Sequence, residues 1–223
     1  MKIVFVRHAH PDYKLDCLTK LGHPQAEAAA ERLKNENFSE IYSSSRGRAY
    51  ETACHIAAKH SLEVKQLDFM REISWGGEEG CNAQPWHVTS DWVKDGISVM
   101  NPDWREVGKF SGNEIVKCYD YVSEEFDRWI SGFGLIREGE YYRISKKCDD
   151  TIALVSHGGS SSVVISHILN LPFSFVCYAM RPNFTAITVV NFTGEEGELT
   201  SPRLLLLNDD KHLAGVGEAV YGN

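Results

Sequence analysis

The sequence lacks a run of basic residues and a long apolar segment. Its formal net charge is -8. Proteins that bind nucleic acid or anionic membrane surfaces usually present a basic face, so we expect this protein to bind neither nucleic acid nor a membrane. No segment approaches the roughly 20 apolar residues that span a bilayer. The first apolar run, Ile3–Val6, is too short for the core of a signal peptide and is followed by charge, so we expect a cytoplasmic protein.

Closely spaced cysteine pairs are also missing. The six cysteines are spread along 223 residues without a C-x-x-C pair, and we expect reduced thiols rather than a disulfide framework. Zinc ligands usually cluster in sequence more tightly than these cysteines do. The nine histidines form neither an H-E-x-x-H nor an H-x-x-E-H arrangement. The prediction is a protein that uses no metal and no cofactor.

Two apolar runs that are rich in β-branched residues each end in a histidine. Ile3–Val6 precedes Arg7 and His8, and residues 151–155 precede Ser156 and His157. Continuous apolar runs of this kind are typical of strands buried on both faces of a parallel sheet. Ligands of open α/β sheets bind beyond the carboxyl ends of the strands. We therefore expect both imidazoles and the arginine to meet in one crevice.

Helical and strand patterns alternate along the rest of the chain. This alternation predicts an α/β fold, a three-layer α/β/α sandwich with a mostly parallel central sheet. We expect one domain over residues 1–223, with an insertion at about 81–112 over one end of the sheet. Trp86, Trp92 and Trp104 in the insertion are expected to pack rather than line a pocket. One helix is expected to begin at an N-cap on Thr19, and further helices are expected over 46–60, 113–130 and 160–169. Further strands are expected over 40–42, 64–67, 186–192 and 203–207.

These residue types suit phosphoryl transfer, which depends on positioning and positive charge. Arginine matches phosphate oxygens with two parallel hydrogen bonds, and a neutral imidazole can attack phosphorus. A carboxylic acid can protonate the leaving alkoxide. The sequence offers candidates for each of these tasks.

Five blocks follow one another along the chain. They are Arg7-His8-Ala9, the segment from Leu18 to Glu27, Tyr42-Ser43-Ser44 with Arg48-Ala49 and Thr52-Ala53, Arg71-Glu72-Ile73 with Gly76 and Glu79-Gly80, and Val155 to Gly159, followed by Leu207-Asn208-Asp209 with His212-Leu213. In this order the blocks resemble the histidine phosphatase superfamily, which includes the cofactor-dependent phosphoglycerate mutases. Each block alone is a weak signal, and their common order makes a chance match improbable.

The resemblance implies a role for each matching residue. It implies that His8 is the nucleophile and becomes phosphohistidine. Glu72 is implied as the proton donor to the leaving group and then as the base that activates water. The implied ligands of the phosphoryl oxygens are Arg7, Arg48, His157 and the backbone N–H of Gly158.

Three positions leave alternatives open. Arg46 competes with Arg48, although the spacing to Ala49 favours Arg48. Glu79 competes with Glu72 as the proton donor. His10 is interpreted as a loop histidine, with a substrate contact as the alternative.

The favoured function is metal-independent hydrolysis of a small phosphomonoester. The alternatives are a phosphoglycerate mutase and a non-catalytic module that binds a phosphorylated ligand. Hydrolysis is favoured because residues 71–76 depart from the acid loop that is typical of the mutases. A homodimer is left open, and the sequence does not name the substrate.

Overall fold

The computed structural model describes residues 1–75 and 84–216. Within them the chain forms eleven strands, six α-helices and four short 3-10 helices. No helix in these ranges combines the length and the apolar character needed to cross a bilayer. The strands are β1 (Lys2–Arg7), β2 (Pro11–Asp12), β3 (Cys17–Leu18), β4 (Glu40–Ser44), β5 (Val64–Leu67), β6 (Leu135–Glu138), β7 (Tyr141–Ile144), β8 (Thr151–Ser156), β9 (Ile187–Asn191), β10 (Leu199–Thr200) and β11 (Arg203–Asp209). The α-helices are α1 (Gly22–Leu33), α2 (Gly47–His60), α3 (Pro85–Lys94), α4 (Glu114–Ser131), α5 (Gly158–Leu169) and α6 (Phe173–Ala179), and the 3-10 helices are Asp68–Met70, Trp104–Glu106, Gly108–Phe110 and Lys211–Leu213.

The main sheet has six strands in the order β11-β9-β1-β8-β4-β5. β1, β8, β4 and β5 pair in parallel, whereas β9 is antiparallel to both of its neighbours. Five strands of this sheet therefore run in one direction, which confirms the mostly parallel sheet. Two smaller antiparallel sheets, β10-β7-β6 and β2-β3, were not expected from the sequence.

The alternation of side chains along β1 shows why the sheet is covered on both faces. Val4 and Val6 belong to a core with apolar residues of α1 and α2. Ile3 and Phe5 belong to the opposite core, which includes apolar residues of α4, α5 and α6. A strand with apolar residues on both faces must be covered by two layers. The three-layer α/β/α sandwich is thus confirmed.

Helix starts differ from the predicted positions by a few residues. α1 begins at Gly22, and Thr19 is not its N-cap, although its Oγ1 accepts a hydrogen bond from the Gly22 backbone N–H at 3.1 Å. α5 begins at Gly158 rather than near Ser160. α4 begins after Asn113, whose side chain caps the helix by accepting from the Ile115 N–H.

The predicted insertion falls partly on residues outside the described ranges. From residue 84 onward it contributes α3 and two of the 3-10 helices. Trp92 and Trp104 are buried and surround Phe110, at ring distances of 5.1 and 5.4 Å, so both tryptophans pack as expected. Trp86 is half-buried, and the Arg181 guanidinium lies 4.6 Å from its ring centre. The extent of the insertion and the single domain stay predictions.

Five cysteines of the described residues carry free thiols, and the reduced state of the protein's cysteines stays a prediction. They are Cys17, Cys54, Cys118, Cys148 and Cys177. The sixth, Cys81, lies outside the described residues.

Candidate active site

The candidate side chains meet at the carboxyl ends of three neighbouring parallel strands. His8 follows β1, and His157 follows β8, the strand paired with β1. Ser44 ends β4 on the other side of β8, and Arg48 lies in the first turn of the helix that follows. The ring centres of His8 and His157 are 5.1 Å apart. The convergence expected from the sequence is therefore observed.

His8 is almost fully buried, and its environment fixes which ring nitrogen carries the proton. Nδ1 lies 2.8 Å from the carbonyl oxygen of Ala9. Since a carbonyl only accepts, Nδ1 carries the proton and Nε2 keeps its lone pair. Nε2 accepts from the Nε–H of Arg48 at 3.4 Å. Burial, helped by the positive charges of Arg7 and Arg48, holds the pKa of His8 well below its ordinary value, so this imidazole is neutral.

His157 has the opposite proton arrangement. Its Nε2 lies 2.8 Å from the hydroxyl of Ser44, and that hydroxyl also accepts the backbone N–H of Arg46 at 3.2 Å. We assign the Ser44 proton to the contact with Nε2, because the hydroxyl already accepts from Arg46, and this assignment places the His157 proton on Nδ1. Nδ1 is buried and has no hydrogen-bond partner among the described residues. Burial, helped by the positive charges of Arg48 and Arg7, holds the pKa of His157 well below its ordinary value. A neutral imidazole with an unused N–H is a ready donor for a phosphoryl oxygen.

Arg7 is buried beside the two imidazoles. Its Nη1 donates to the carbonyl of Pro182 at 2.9 Å, and its guanidinium lies 4.2 Å from the centre of the Phe184 ring. Its Nε is buried, and no hydrogen-bond acceptor within the described part of the chain reaches it. A buried N–H without a partner is costly, and an anion at this position would supply the acceptor.

The structure places Arg48, rather than Arg46, beside His8. Arg48 is buried, points its Nε at His8 and pairs its Nη1 with Asp16. Arg46 is exposed and precedes the first residue of α2. The Arg48 backbone is held by Thr52, whose Oγ1 donates to the Arg48 carbonyl and accepts the Ala9 N–H. Thr52 therefore links the start of α2 to the residue after the candidate nucleophile.

Glu72 reaches the same place from the segment after β5. Its Oε1 accepts two backbone N–H groups at 3.0 Å, from Ile73 and from Gly159. Burial raises the pKa of Glu72 above its ordinary value, although Arg7 acts in the opposite direction. A carboxyl group with a raised pKa keeps its proton to higher pH, as a proton donor must. The alternative donor, Glu79, lies outside the described residues.

The two glycines at the start of α5 have different surroundings. A Cβ added at Gly158 would lie 3.6 Å from Arg7 Nε, an ordinary contact. A Cβ at Gly159 would lie 2.4 Å from Ile73 Cγ1 and 2.5 Å from Glu72 Oε1. Gly158 stands where helix N–H groups have no partner within the helix, which favours anion binding. Gly159 positions Glu72, a task that was not predicted from the sequence.

His10 and the C-terminal block support the site from outside. His10 Nδ1 lies 2.9 Å from the hydroxyl of Thr19, and its ring packs on Phe184. Asn208 donates from Nδ2 to the carbonyls of Met180 and Arg181. These hydrogen bonds fix the loop in which the carbonyl oxygen of Pro182 accepts a hydrogen bond from Arg7. The matching block near Asn208 thus supports the loop that contacts Arg7.

Within residues 1–75 and 84–216, no three His, Cys, Asp or Glu side chains are arranged to hold a metal ion. Asp16, Thr52 and Gly159 contact the candidate residues, yet none of them was predicted to act at the site. Gly159 and Thr52 lay inside the recognised blocks, so a signal was present for both. Asp16 lies in the loop after His8, for which the sequence offers no pattern.

The chain is similar to known proteins over most of its length. The family model of the histidine phosphatase superfamily, branch 1, matches residues 3–204. A glucosyl-3-phosphoglycerate phosphatase of Mycobacterium tuberculosis is 28% identical over 180 residues, which cover 77% of this chain and 76% of the relative. A putative phosphoserine phosphatase 2 of Hydrogenobacter thermophilus is 22% identical over 214 residues, covering 89% and 93%. These relatives support hydrolysis and give no support to the mutase or to the non-catalytic module.

Solved structures share the fold. A mutant phosphoserine phosphatase of Entamoeba histolytica, in complex with phosphoserine, superposes with a TM-score of 0.66 at 22% identity, covering 95% of this chain and 98% of that one. The native mycobacterial glucosyl-3-phosphoglycerate phosphatase superposes with a TM-score of 0.64 at 25% identity, covering 93% and 98%.

Proposed function

This chain belongs to the histidine phosphatase superfamily and is a phosphomonoester hydrolase, and we propose that it acts through a phosphohistidine on His8. The observation that carries the proposal is the state of His8. Its imidazole is buried and neutral, its Nδ1–H donates to the carbonyl oxygen of Ala9, and its Nε2 lone pair points to Arg48. A nucleophile held in one tautomer beside an arginine is suited to attack phosphorus.

The proposed first step forms a bond between Nε2 and phosphorus while the ester P–O bond breaks. The leaving oxygen takes the proton of Glu72, whose raised pKa keeps that proton available. In the second step the Glu72 carboxylate accepts a proton from water as the water oxygen attacks phosphorus. The N–P bond then breaks, and its electron pair returns to His8.

We propose that four groups that already face the site stabilise the negative charge on the phosphoryl oxygens. These groups need no rearrangement when charge shifts during transfer, which is the source of their catalytic effect. The guanidinium groups and the histidine lie beside His8, and the glycine lies at the N-terminus of α5. They are the Arg7 Nε–H, the Arg48 guanidinium, the His157 Nδ1–H and the Gly158 backbone N–H.

We propose a small phosphorylated organic acid as the substrate class. The relatives are named for phosphoserine and for glucosyl-3-phosphoglycerate, which are phosphomonoesters that also carry a carboxylate. Arg181 adds positive charge near Arg7, although the net charge of the chain is -8. A locally positive site in an acidic protein suits a substrate with more than one negative group.

The deciding experiment labels the enzyme with a substrate that carries radioactive phosphate and stops the reaction in alkali, which preserves phosphohistidine. The wild type is expected to retain label in excess EDTA, and His8→Ala is expected to retain none. His10→Ala is the matched control, because its imidazole lies beside the same Phe184 ring. Equal labelling of the wild type and His8→Ala would assign the nucleophile elsewhere. The cytoplasmic location and the homodimer stay predictions, for cell fractionation and sedimentation to test.

A further inference from the structure

Asp16 reaches the phosphate-binding end from the loop between β2 and β3. Its Oδ1 forms an ion pair with Nη1 of Arg48. Its Oδ2 accepts the backbone N–H of Gly47 at 3.0 Å. One carboxylate therefore holds both the first residue of α2 and the guanidinium of the next residue.

The local backbone is shaped for this contact. Asp16 has φ of 53°, in the left-handed region that residues other than glycine rarely adopt. A Cβ at position 47 would lie 2.1 Å from the Asp16 carbonyl oxygen, so only glycine lets the two segments approach this closely. The approach of the loop to α2 thus depends on the identity of both residues.

The ion pair restricts how Arg48 can meet a phosphoryl group. A guanidinium is a rigid planar fork, and Nε–H and one Nη2–H lie on the same edge. Asp16 occupies Nη1, and Nε points at His8 Nε2 at 3.4 Å. The edge formed by Nε and Nη2 therefore faces the atom that would carry the phosphoryl group.

We propose that Asp16 is a positioning residue for phosphoryl transfer, acting by fixing the Arg48 guanidinium against the oxygens of the group on His8. The proposal rests on the proposed function of the site. The Arg48 side chain is 9% exposed and that of Asp16 is 33% exposed, so the pair is shielded more than a surface ion pair. The Tyr13 ring, 5.3 Å from the Arg48 guanidinium carbon, closes another side. Arg48 is thus held between the loop and His8.

The test compares Asp16→Asn and Asp16→Ala with the wild type in p-nitrophenyl phosphate turnover and in inhibition by inorganic phosphate. Misplacement of a charge-stabilising group by about 1 Å costs on the order of 100-fold in rate. We expect kcat/KM to fall about 10- to 100-fold and the inhibition constant of phosphate to rise. Asp16→Asn keeps the shape of the side chain, so it guards against a variant that fails to fold. Asp12→Asn is the matched control, since the Asp12 carboxylate accepts from N–H groups of its own turn, at Lys14 and Leu15.

A double-mutant cycle with Arg48→Ala separates positioning from general damage. If Asp16 acts through Arg48, Asp16→Ala causes no further loss when Arg48 is already absent. An equal loss in both backgrounds, or an equal loss in Asp12→Asn, would overturn the proposal. If the wild type itself shows no turnover, calorimetric binding of inorganic phosphate replaces the rate measurement. Undiminished phosphate binding by Asp16→Ala would then overturn the role of Asp16. The absence of turnover in the wild type would count against the proposed function and not against the role of Asp16.

Discussion

Replacing Gly159 by alanine tests whether Glu72 is the proton donor without changing any catalytic group. The added Cβ would lie 2.5 Å from Glu72 Oε1 and 2.4 Å from Ile73 Cγ1. Carbon atoms prefer separations of 3.5–4.0 Å, so the carboxyl group must retreat by about 1 Å. A displacement of that size costs on the order of 100-fold, within the range that general acids contribute. We therefore expect kcat for an alkyl phosphate to fall about 100-fold in Gly159→Ala.

The leaving group makes this prediction selective. An alkoxide needs a proton as it departs, whereas p-nitrophenolate leaves readily without one. The assay measures kcat for p-nitrophenyl phosphate and for phosphoserine or glycerol phosphate, whichever the wild type turns over faster. We expect the loss in Gly159→Ala to be clearly larger for the alkyl ester.

Gly158→Ala is the steric control for this experiment. It places a methyl group one residue earlier in the same helix, at an ordinary distance of 3.6 Å from Arg7 Nε, and keeps the backbone N–H. We expect it to lose far less activity than Gly159→Ala. Losses of similar size in both variants, or equal losses on both leaving groups, would refute the assignment of Glu72. Thermal unfolding of both variants checks that neither loss reflects unfolding.

Three further outcomes are expected. Burial lowers the pKa of His8 from 6.5 and raises that of Glu72 from 4.5, so kcat/KM should peak at mildly acidic pH. The midpoint of the acid limb of the pH profile should lie below 6.5, and the midpoint of the alkaline limb should lie above 4.5. A rate that rises steadily to about pH 9 would contradict this expectation. Ser44→Ala removes the donor that sets the tautomer of His157, so kcat should fall about 10-fold or more while Tm changes little, and an unchanged kcat would contradict the proton arrangement. Phe110→Ala should lower the free energy of unfolding by about 3–5 kcal/mol, measured by urea titration, because its ring is fully buried among tryptophans, and a loss below about 1 kcal/mol would show that the cluster is loosely packed.

The elements that carry the site could be predicted because their signals are local. β1 and β8 each contain a continuous apolar run, and a histidine comes directly after each strand. A parallel sheet brings such ends together regardless of the distance along the chain. The placement of His8 beside His157 thus followed from two short segments and one rule of topology.

The small sheet formed by β6, β7 and β10 could not be predicted in the same way. Its strands have two to four residues, too few for a periodic pattern to stand out. Tyr142, in β7, is fully buried because its ring packs on Phe192 and its hydroxyl donates to Asp127. These partners are distant in sequence, so only the folded chain shows why this tyrosine is buried. α6 was missed for a related reason, since its seven residues span about two helical turns, too few for the repeat of apolar positions to be recognised.

The different roles of the two histidines could not be predicted from the sequence around either of them. Both follow a buried strand, and both are neutral for the same reason, burial beside arginines. They differ because His8 donates from Nδ1 to the carbonyl of Ala9, whereas His157 meets the hydroxyl of Ser44 at Nε2. The first contact leaves a lone pair for attack, and the second leaves an N–H for an oxygen. The same residue type thus becomes a candidate nucleophile at one strand and a candidate donor at the next, because a neighbour from another segment decides which nitrogen keeps the proton.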